Sequence, residues 1–386
     1  MSELKVVGTA VPRAEGSDKV SGRTLYAADV NLPGTLWAKI LRSPHPHARI
    51  LNIDVSKAQR IRGVKAILTG SEVQGHLIGK QIRDMPVLCW DRVRFVGDRV
   101  AAVAAESVDA AQEAVNVIDV DYESLAAVFD PLEAMQLSAP RLHDDVTVYD
   151  GGPKDKLAAD LHNGLTRLAY KKGDVEKGFR EADLVLEHVF HIPGRHQGYL
   201  EPHAALVAID PNGRIQVWIS AKNPFGVRSQ LAKCLQLPEE RIRINVVNVG
   251  GEFGGKGDGI DLPIAYFLSQ RTGRPVKIVM TYAEELSASN PAHPTVITVG
   301  AASSAMAASS RASCARCTPA APTARLNPTR RSPPGTTPVG NIASTMPISN
   351  TCKFTRIRFP AVTTAAQGRW PPPSPSTLTP ILLPKN

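Results

Sequence analysis

The chain has 386 residues, 43% hydrophobic and 21% charged, with a formal net charge of +9, which leaves room for roughly two to three domains. The basic balance suggests nucleic acid until it is divided: residues 301–386 hold eight Arg and two Lys with no Asp or Glu, whereas residues 1–300 carry 35 basic against 36 acidic side chains. The body is electrostatically ordinary, which sets a nucleic-acid binder aside, and with no apolar run near membrane-span length and no export signal a cytoplasmic protein without membrane attachment is expected.

In chain order, residues 20–130 alternate strands and helices. Thr35 to Ser43 and VKAILTG (Val64 to Gly70) read as strands, and VRFVGDRVAAVAAES (Val93 to Ser107) as a hairpin-like pair turning at Gly97 and Asp98. Ser107 then caps a helix with Asp109 in its first turn and apolar residues at 108, 111, 114, 115 and 118. A strand and turn over Asp119 to Asp130 complete a compact α/β unit, assigned to residues 1–132. Residues 133–165 are polar and turn-rich and read as a connection.

A second α/β region is assigned to residues 166–300. It contains a strand over Asp183 to Ile192, two strands flanking the Pro211-Asn212-Gly213 turn, and a helix from Pro224 to Leu237 on which Cys234 shares the apolar side with Val227 and Leu231. Arg241 to Val249 reads as a buried strand, and a further helix has Asp261 as N-cap, Pro263 in its first turn and Gly273 at its end, before the strand Pro275 to Thr281. The fold class predicted is α/β (α+β).

Between that strand and helix lies VNVGGEFGGKGDGIDLP (Val247 to Pro263). Gly250, Gly255 and Lys256 satisfy the G-x-x-x-x-G-K of a nucleotide loop, but the Ser or Thr that would ligate magnesium is Gly257, and no glycine triplet has the dinucleotide spacing G-x-G-x-x-G. What survives is a run of backbone amides at a helix N-terminus, suited to an anion without a metal ligand. A tight βα turn that binds nothing is an equal alternative.

Four histidines fall in sixteen residues, at His188, His191, His196 and His203, with Glu187 and Glu201 among them. Positions 188 and 191 face opposite sides of a regular strand and H-E-x-x-H is absent, so surface or internally satisfied histidines are expected rather than metal ligands. Cys89 is isolated, and Cys314 and Cys317 form a lone C-x-x-C with Cys352 alone nearby, too few ligands for zinc.

Residues 301–386 also hold 14 of the 31 prolines and long Ala, Ser and Thr runs, with no sustained apolar period. A disordered basic arm, a linker and an out-of-frame translation of GC-rich DNA compete. The total absence of acids, starting inside the strand-like PTVITVG (Pro294 to Gly300), favours the last.

Four segments in register resemble the large subunit of molybdenum hydroxylases, the xanthine dehydrogenase and aldehyde oxidase family: Lys19 to Ile50, RFVGDRVAAVAAES (Arg94 to Ser107), QGYLEPHAALV (Gln197 to Val207) and GGEFGGK (Gly250 to Lys256). The resemblance covers almost all of residues 7–300. It implies an N-terminal α/β hammerhead domain followed by the start of a molybdopterin-binding domain; the composition of residues 301–386 adds the expectation of a disordered basic tail. The implied cofactor is molybdenum on molybdopterin, often the cytosine dinucleotide form in bacteria, with Gly250, Gly251, Phe253, Gly254, Gly255 and Lys256 as its binding residues here.

The implied reaction is hydroxylation of an aldehyde or N-heterocyclic carbon with oxygen from water. Electrons would leave through iron-sulfur and FAD groups; neither has a fingerprint in this chain, so an FAD-binding subunit and a 2Fe-2S subunit are the implied partners, with a small-molecule substrate. Three positions depart from the family. Glu252 stands where Gly is usual, Gly257 replaces the Glu that contacts purines, and the Gln expected near the metal falls on Arg195, two residues before Gln197. Purines are therefore disfavoured. The family's base and substrate-orienting arginine lie beyond residue 300, so the chain as written is expected to be inactive alone, as a fragment broken by a frame slip. A non-catalytic assembly or binding protein that retains the hammerhead domain is the alternative.

Overall fold

The structure, a computed structural model, describes residues 8, 10–80, 82–152, 162–164, 166–303, 312–318 and 352–358. Its centre is a seven-stranded sheet of Leu36–Arg42 (β1), Val64–Thr69 (β2), Arg99–Ala105 (β3), Ala204–Ile209 (β4), Ile215–Ile219 (β5), Ile242–Ile244 (β6) and Val276–Val279 (β7). The spatial order is β6-β5-β4-β7-β1-β3-β2. The two sequence segments therefore share one sheet. They meet where β1 runs parallel to β7, with Leu36, Trp37 and Ala38 opposite Val276, Lys277 and Ile278.

Strand β3 shows why the sheet carries layers on both faces. Every residue from Arg99 to Ala105 is buried, and successive side chains point to opposite sides. Ala101 and Val103 pack with Ala114 and Val115 of the helix Val108–Asn116 (α1). Ala102 and Ala104 face the larger core with Leu36, Val207, Ile264 and Leu268. Ile264 and Leu268 belong to the helix Leu262–Thr272 (α3), and Leu231 of the helix Pro224–Leu235 (α2) joins the same core. Each fully buried aliphatic of this kind contributes about 1.5–3 kcal/mol.

Local signals in the sequence set the element ends. Ser107 accepts from Ala110 N–H and starts α1, Asn223 accepts from Gly226 N–H and starts α2, and Gly273 closes α3 at φ 66°. The Pro211-Asn212-Gly213 turn joins antiparallel β4 and β5, with Gly213 N–H donating to Asp210 O at 2.7 Å. Thr281 and Glu284 form a reciprocal capping box at the start of the helix Tyr282–Ala288 (α4).

Two expectations are corrected. Arg92–Val93 does not form a hairpin with β3; it pairs with Ala48–Asp54, which also pairs with Asp119–Ser124 in a separate small sheet. The turn at Gly97 instead lies so close to Ser287 and Ala288 that an added Cβ would sit 2.5 Å from Ser287 O. The strand expected over Arg241 to Val249 is reduced to Ile242–Ile244, which pairs with β5, and Val246 is exposed; the chain then leaves the sheet, and Asn248 bridges to Tyr26 instead. Beyond residue 300, Ala312–Thr318 pairs with Thr295–Ser303, and Cys352–Arg358 pairs with Thr166–Lys172. A backbone ladder needs no apolar period. The remaining tail, and the side chains of Cys314, Cys317 and Cys352, lie outside the described residues. No helix among the described residues is long and apolar enough to cross a membrane.

Candidate functional site

The glycine loop connects β6 to α3 and is anchored on its entry side by a bridge between Asn248 and Tyr26. Gly251 and Gly254 both have φ 98°, and Phe253 between them has φ 43°. Left-handed backbone is cheap for glycine and costs a residue such as Phe about 1–3 kcal/mol. The loop is pressed against the segment from Gln197 to Glu201. A Cβ at Gly250 would lie 2.7 Å from Glu201 Cβ, one at Gly251 2.9 Å from Tyr199 Cβ, and one at Gly255 2.7 Å from Tyr199 Cε1. The glycines are thus dictated by the loop's inner surface. Phe253 projects from the outer one and is 58% exposed.

Lys256 turns inward. Its side chain is fully buried with Nζ 2.8 Å from Glu201 Oε2 and 4.5 Å from the Tyr199 ring centroid. Burial lowers the Lys256 pKa, and the Glu201 carboxylate opposes that shift. Gly250 N–H donates to the same Glu201 oxygen at 2.7 Å. One carboxylate therefore holds both ends of the loop. Glu201 Oε1 and Gln197 Oε1 are buried with no hydrogen-bond partner among the described residues.

Arg195 is held through its backbone, which exchanges hydrogen bonds with Ala292 at 3.0 and 2.9 Å. Gln197 is the residue under the loop: its Nε2 donates to Asn290 O at 2.9 Å, and a Cβ at Gly255 would approach its Oε1 to 3.0 Å.

Beneath this platform lies a group that sequence reasoning missed. Glu285 of α4 is buried and receives Tyr199 OH at 2.8 Å and the backbone N–H of His203. His203 Nδ1 lies 2.9 Å from its Oε1, and His196 Nε2 lies 3.5 Å from its Oε2. Burial alone would raise the carboxyl, but the hydrogen bond and charge of His203 with the Tyr199 hydroxyl bring it down to about 2. Burial and the Glu285 charge push the Tyr199 phenol well up. Tyr199 and His203 lie in an irregular segment, where their spacing carries no signal, and nothing in the sequence identified Glu285 as the carboxylate they share. His188 and His191 lie on the strand Leu184–Ile192, where His191 is exposed and His188 half-buried. Among the described residues no group of three or more His, Cys, Asp or Glu is placed to hold a metal ion.

A second carboxylate braces the start of α3. Asp261 occupies the N-cap position but makes no cap bond; its Oδ2 lies 2.8 Å from Arg42 Nη2 of β1 instead. Burial raises Asp261, and Arg42 and Arg99 outweigh it, so its pKa is lowered. Arg42 also reaches Glu284 at 3.2 Å. The helix that follows the loop is thus tied to the N-terminal segment.

On the outer side, Glu252 bends back over the turn. Its Oε2 accepts from Gly254 N–H at 2.6 Å and its Oε1 is ion-paired with Lys222. Gly255 N–H donates to Glu252 O at 2.7 Å. The loop amide therefore holds a carboxylate oxygen, the behaviour of an anion receptor.

Two family models match the chain: "Aldehyde oxidase and xanthine dehydrogenase, a/b hammerhead domain" over residues 21–126 and "Molybdopterin cofactor-binding domain" over residues 159–308. The chain is 36% identical over 288 residues to a probable xanthine dehydrogenase component of Bacillus subtilis (strain 168), covering 74% of this chain and 36% of that protein. It is 33% identical over 296 residues to the nicotinate dehydrogenase large molybdopterin subunit of Eubacterium barkeri, covering 76% and 65% respectively. In structure it is similar to the reconstituted CO dehydrogenase of Oligotropha carboxidovorans, with TM-score 0.75 and 26% identity, covering 92% of this chain and 45% of that one. Quinoline 2-oxidoreductase from Pseudomonas putida 86 gives TM-score 0.73 and 25% identity, covering 92% and 44%. The chain spans less than two thirds of the length of these relatives.

Proposed function

The chain belongs to the aldehyde oxidase and xanthine dehydrogenase family, and from that premise we propose that it is the molybdopterin-binding subunit of a multi-subunit oxidoreductase that hydroxylates an aldehyde or N-heterocyclic carbon. The observation that carries this reading is the carboxylate oxygen held 2.6 Å from Gly254 N–H. It stands in for an oxygen of an anionic cofactor. A metal-free amide receptor of this kind suits a molybdopterin and does not suit a magnesium nucleotide, whose hydroxyl ligand is absent at Gly257.

The residues present fit the group. Gly250, Gly251 and Gly255 let the loop pack directly on Tyr199 and Glu201, Gly254 offers its backbone amide, Phe253 flanks the loop, and Lys256 fixes its inner end through Glu201. When bound, the cofactor supplies the oxygen transfer and the two-electron chemistry. The protein's part here is to place backbone amides and hold the platform rigid through Tyr199 and Glu285.

Electron carriers are assigned to partners. Cys89 and Cys234, the free cysteines among the described residues, are both buried, and two thiolates are fewer than the four that hold a 2Fe-2S cluster. Two of the relatives are named as subunits of larger enzymes, which supports an FAD-binding subunit and an iron-sulfur subunit as partners. Metal and pterin analysis of the complex purified under adequate molybdate tests the proposal. About one molybdenum and one pterin per chain is the expected result; their absence overturns it and leaves a non-catalytic assembly role.

A further inference from the structure

The Glu252 carboxylate occupies the receptor that the proposed cofactor needs. Its Oε2 lies 2.6 Å from Gly254 N, its Oε1 is paired with Lys222, and only 13% of its side chain is exposed. A backbone N–H carries one proton, and a short bond to one anionic oxygen excludes a second. Lys222 is itself tied to the loop, since its N–H donates to Lys256 O at 3.3 Å, while its side chain is 45% exposed. The carboxylate therefore has a half-exposed cation beside the loop towards which it can turn.

We propose that Glu252 is a latch on the glycine loop, closed over the Gly254 amide in the cofactor-free chain and opened when an anionic oxygen of the pterin cofactor takes that amide. The inference rests on the molybdopterin reading and adds a regulation to it. Closure leaves only a fraction of chains competent to bind, and apparent affinity falls in proportion to that fraction. Opening keeps the Lys222 pair and surrenders only the Gly254 bond. Closed, the latch spans the turn in which Gly251, Phe253 and Gly254 adopt left-handed backbone.

Two variants test this. Glu252→Gln keeps the shape and an acceptor but removes the charge, and Glu252→Gly removes the side chain. In the cofactor-free chain, hydrogen exchange of the peptide containing Gly254 should quicken roughly tenfold in Glu252→Gly and less in Glu252→Gln, the scale of one charge-assisted hydrogen bond. Unchanged exchange in both variants overturns the latch. In the assembled complex, titration with molybdopterin, read by the fluorescence of the oxidised pterin recovered with the protein, should show a midpoint roughly tenfold lower for Glu252→Gly and intermediate for Glu252→Gln. Binding by all three chains with equal midpoints overturns the latch and upholds the cofactor reading. Failure of all three to bind pterin overturns the cofactor reading and the latch together.

Discussion

The Lys256 ammonium lies 2.8 Å from Glu201 Oε2, and both side chains are buried beneath the glycine loop. Removing one partner of such a pair leaves an uncompensated buried charge, a loss of about 3–5 kcal/mol. Lys256→Met is expected to destabilise the chain by that amount in urea denaturation. The double variant Lys256→Met/Glu201→Gln should recover part of the loss, because the charge itself is gone. A single variant as stable as the parent would remove the pair from the account of the loop.

Glu285 gives the fold an acid-sensitive point. Its folded value of about 2 lies below the ordinary 4.5, so its stabilising contribution is complete above pH 4.5 and is lost as pH falls towards 2. The size is about 3 kcal/mol. Glu285→Gln should lower stability by about that much at neutral pH and flatten the loss between pH 4.5 and 2. Parallel stability profiles for the two proteins across that range would contradict the assignment.

Two glycines of the same stretch should respond differently to alanine. Gly251 has φ 98° and a Cβ there would lie 2.9 Å from Tyr199 Cβ, whereas the nearest atom to a Cβ at Gly257 is Lys80 Nζ at 3.6 Å. Gly251→Ala should cost about 2–4 kcal/mol from strain and overpacking, and Gly257→Ala less than about 1 kcal/mol. Equal melting temperatures for the two variants would show that the loop gives way freely.

Features whose cause is local were legible in the sequence. Ser107, the Pro211-Asn212-Gly213 turn and Gly273 act within a few residues of themselves, and each behaves as its residue type requires. The glycine loop was visible for the same reason. What was hidden depends on partners far away in the chain. Asp261 looks like an N-cap until Arg42, 219 residues earlier, takes its carboxylate. Glu285 sits inside an ordinary YAEELSA run and gains meaning only from His203, 82 residues before it. Arg92–Val93 was misread because a Gly-Asp turn specifies a reversal of the chain but not which strand lies beyond it.

The change in composition after residue 300 leads to a genetic expectation. Residues 301–386 have no acidic side chain, yet Thr295–Ser303 is paired along its length with Leu184–Ile192. Translation of the same DNA in another frame downstream of about codon 300 should give ordinary acid content and continue the family's sequence. Sequencing the gene and its surroundings checks this. The idea fails if no other frame stays open.

The parallel seam between β1 and β7 sets a timetable for synthesis. Leu36 pairs with Val276, 240 residues later, and at ribosomal speeds of roughly 5–20 residues per second that partner arrives about 12–50 s after β1 has been made. During that interval β1 can pair with β3 on one side only. Its other edge, rich in leucine and isoleucine, stays open to any passing strand. A nascent chain of this design needs a chaperone, or an early companion subunit, more during the middle of its translation than at the end.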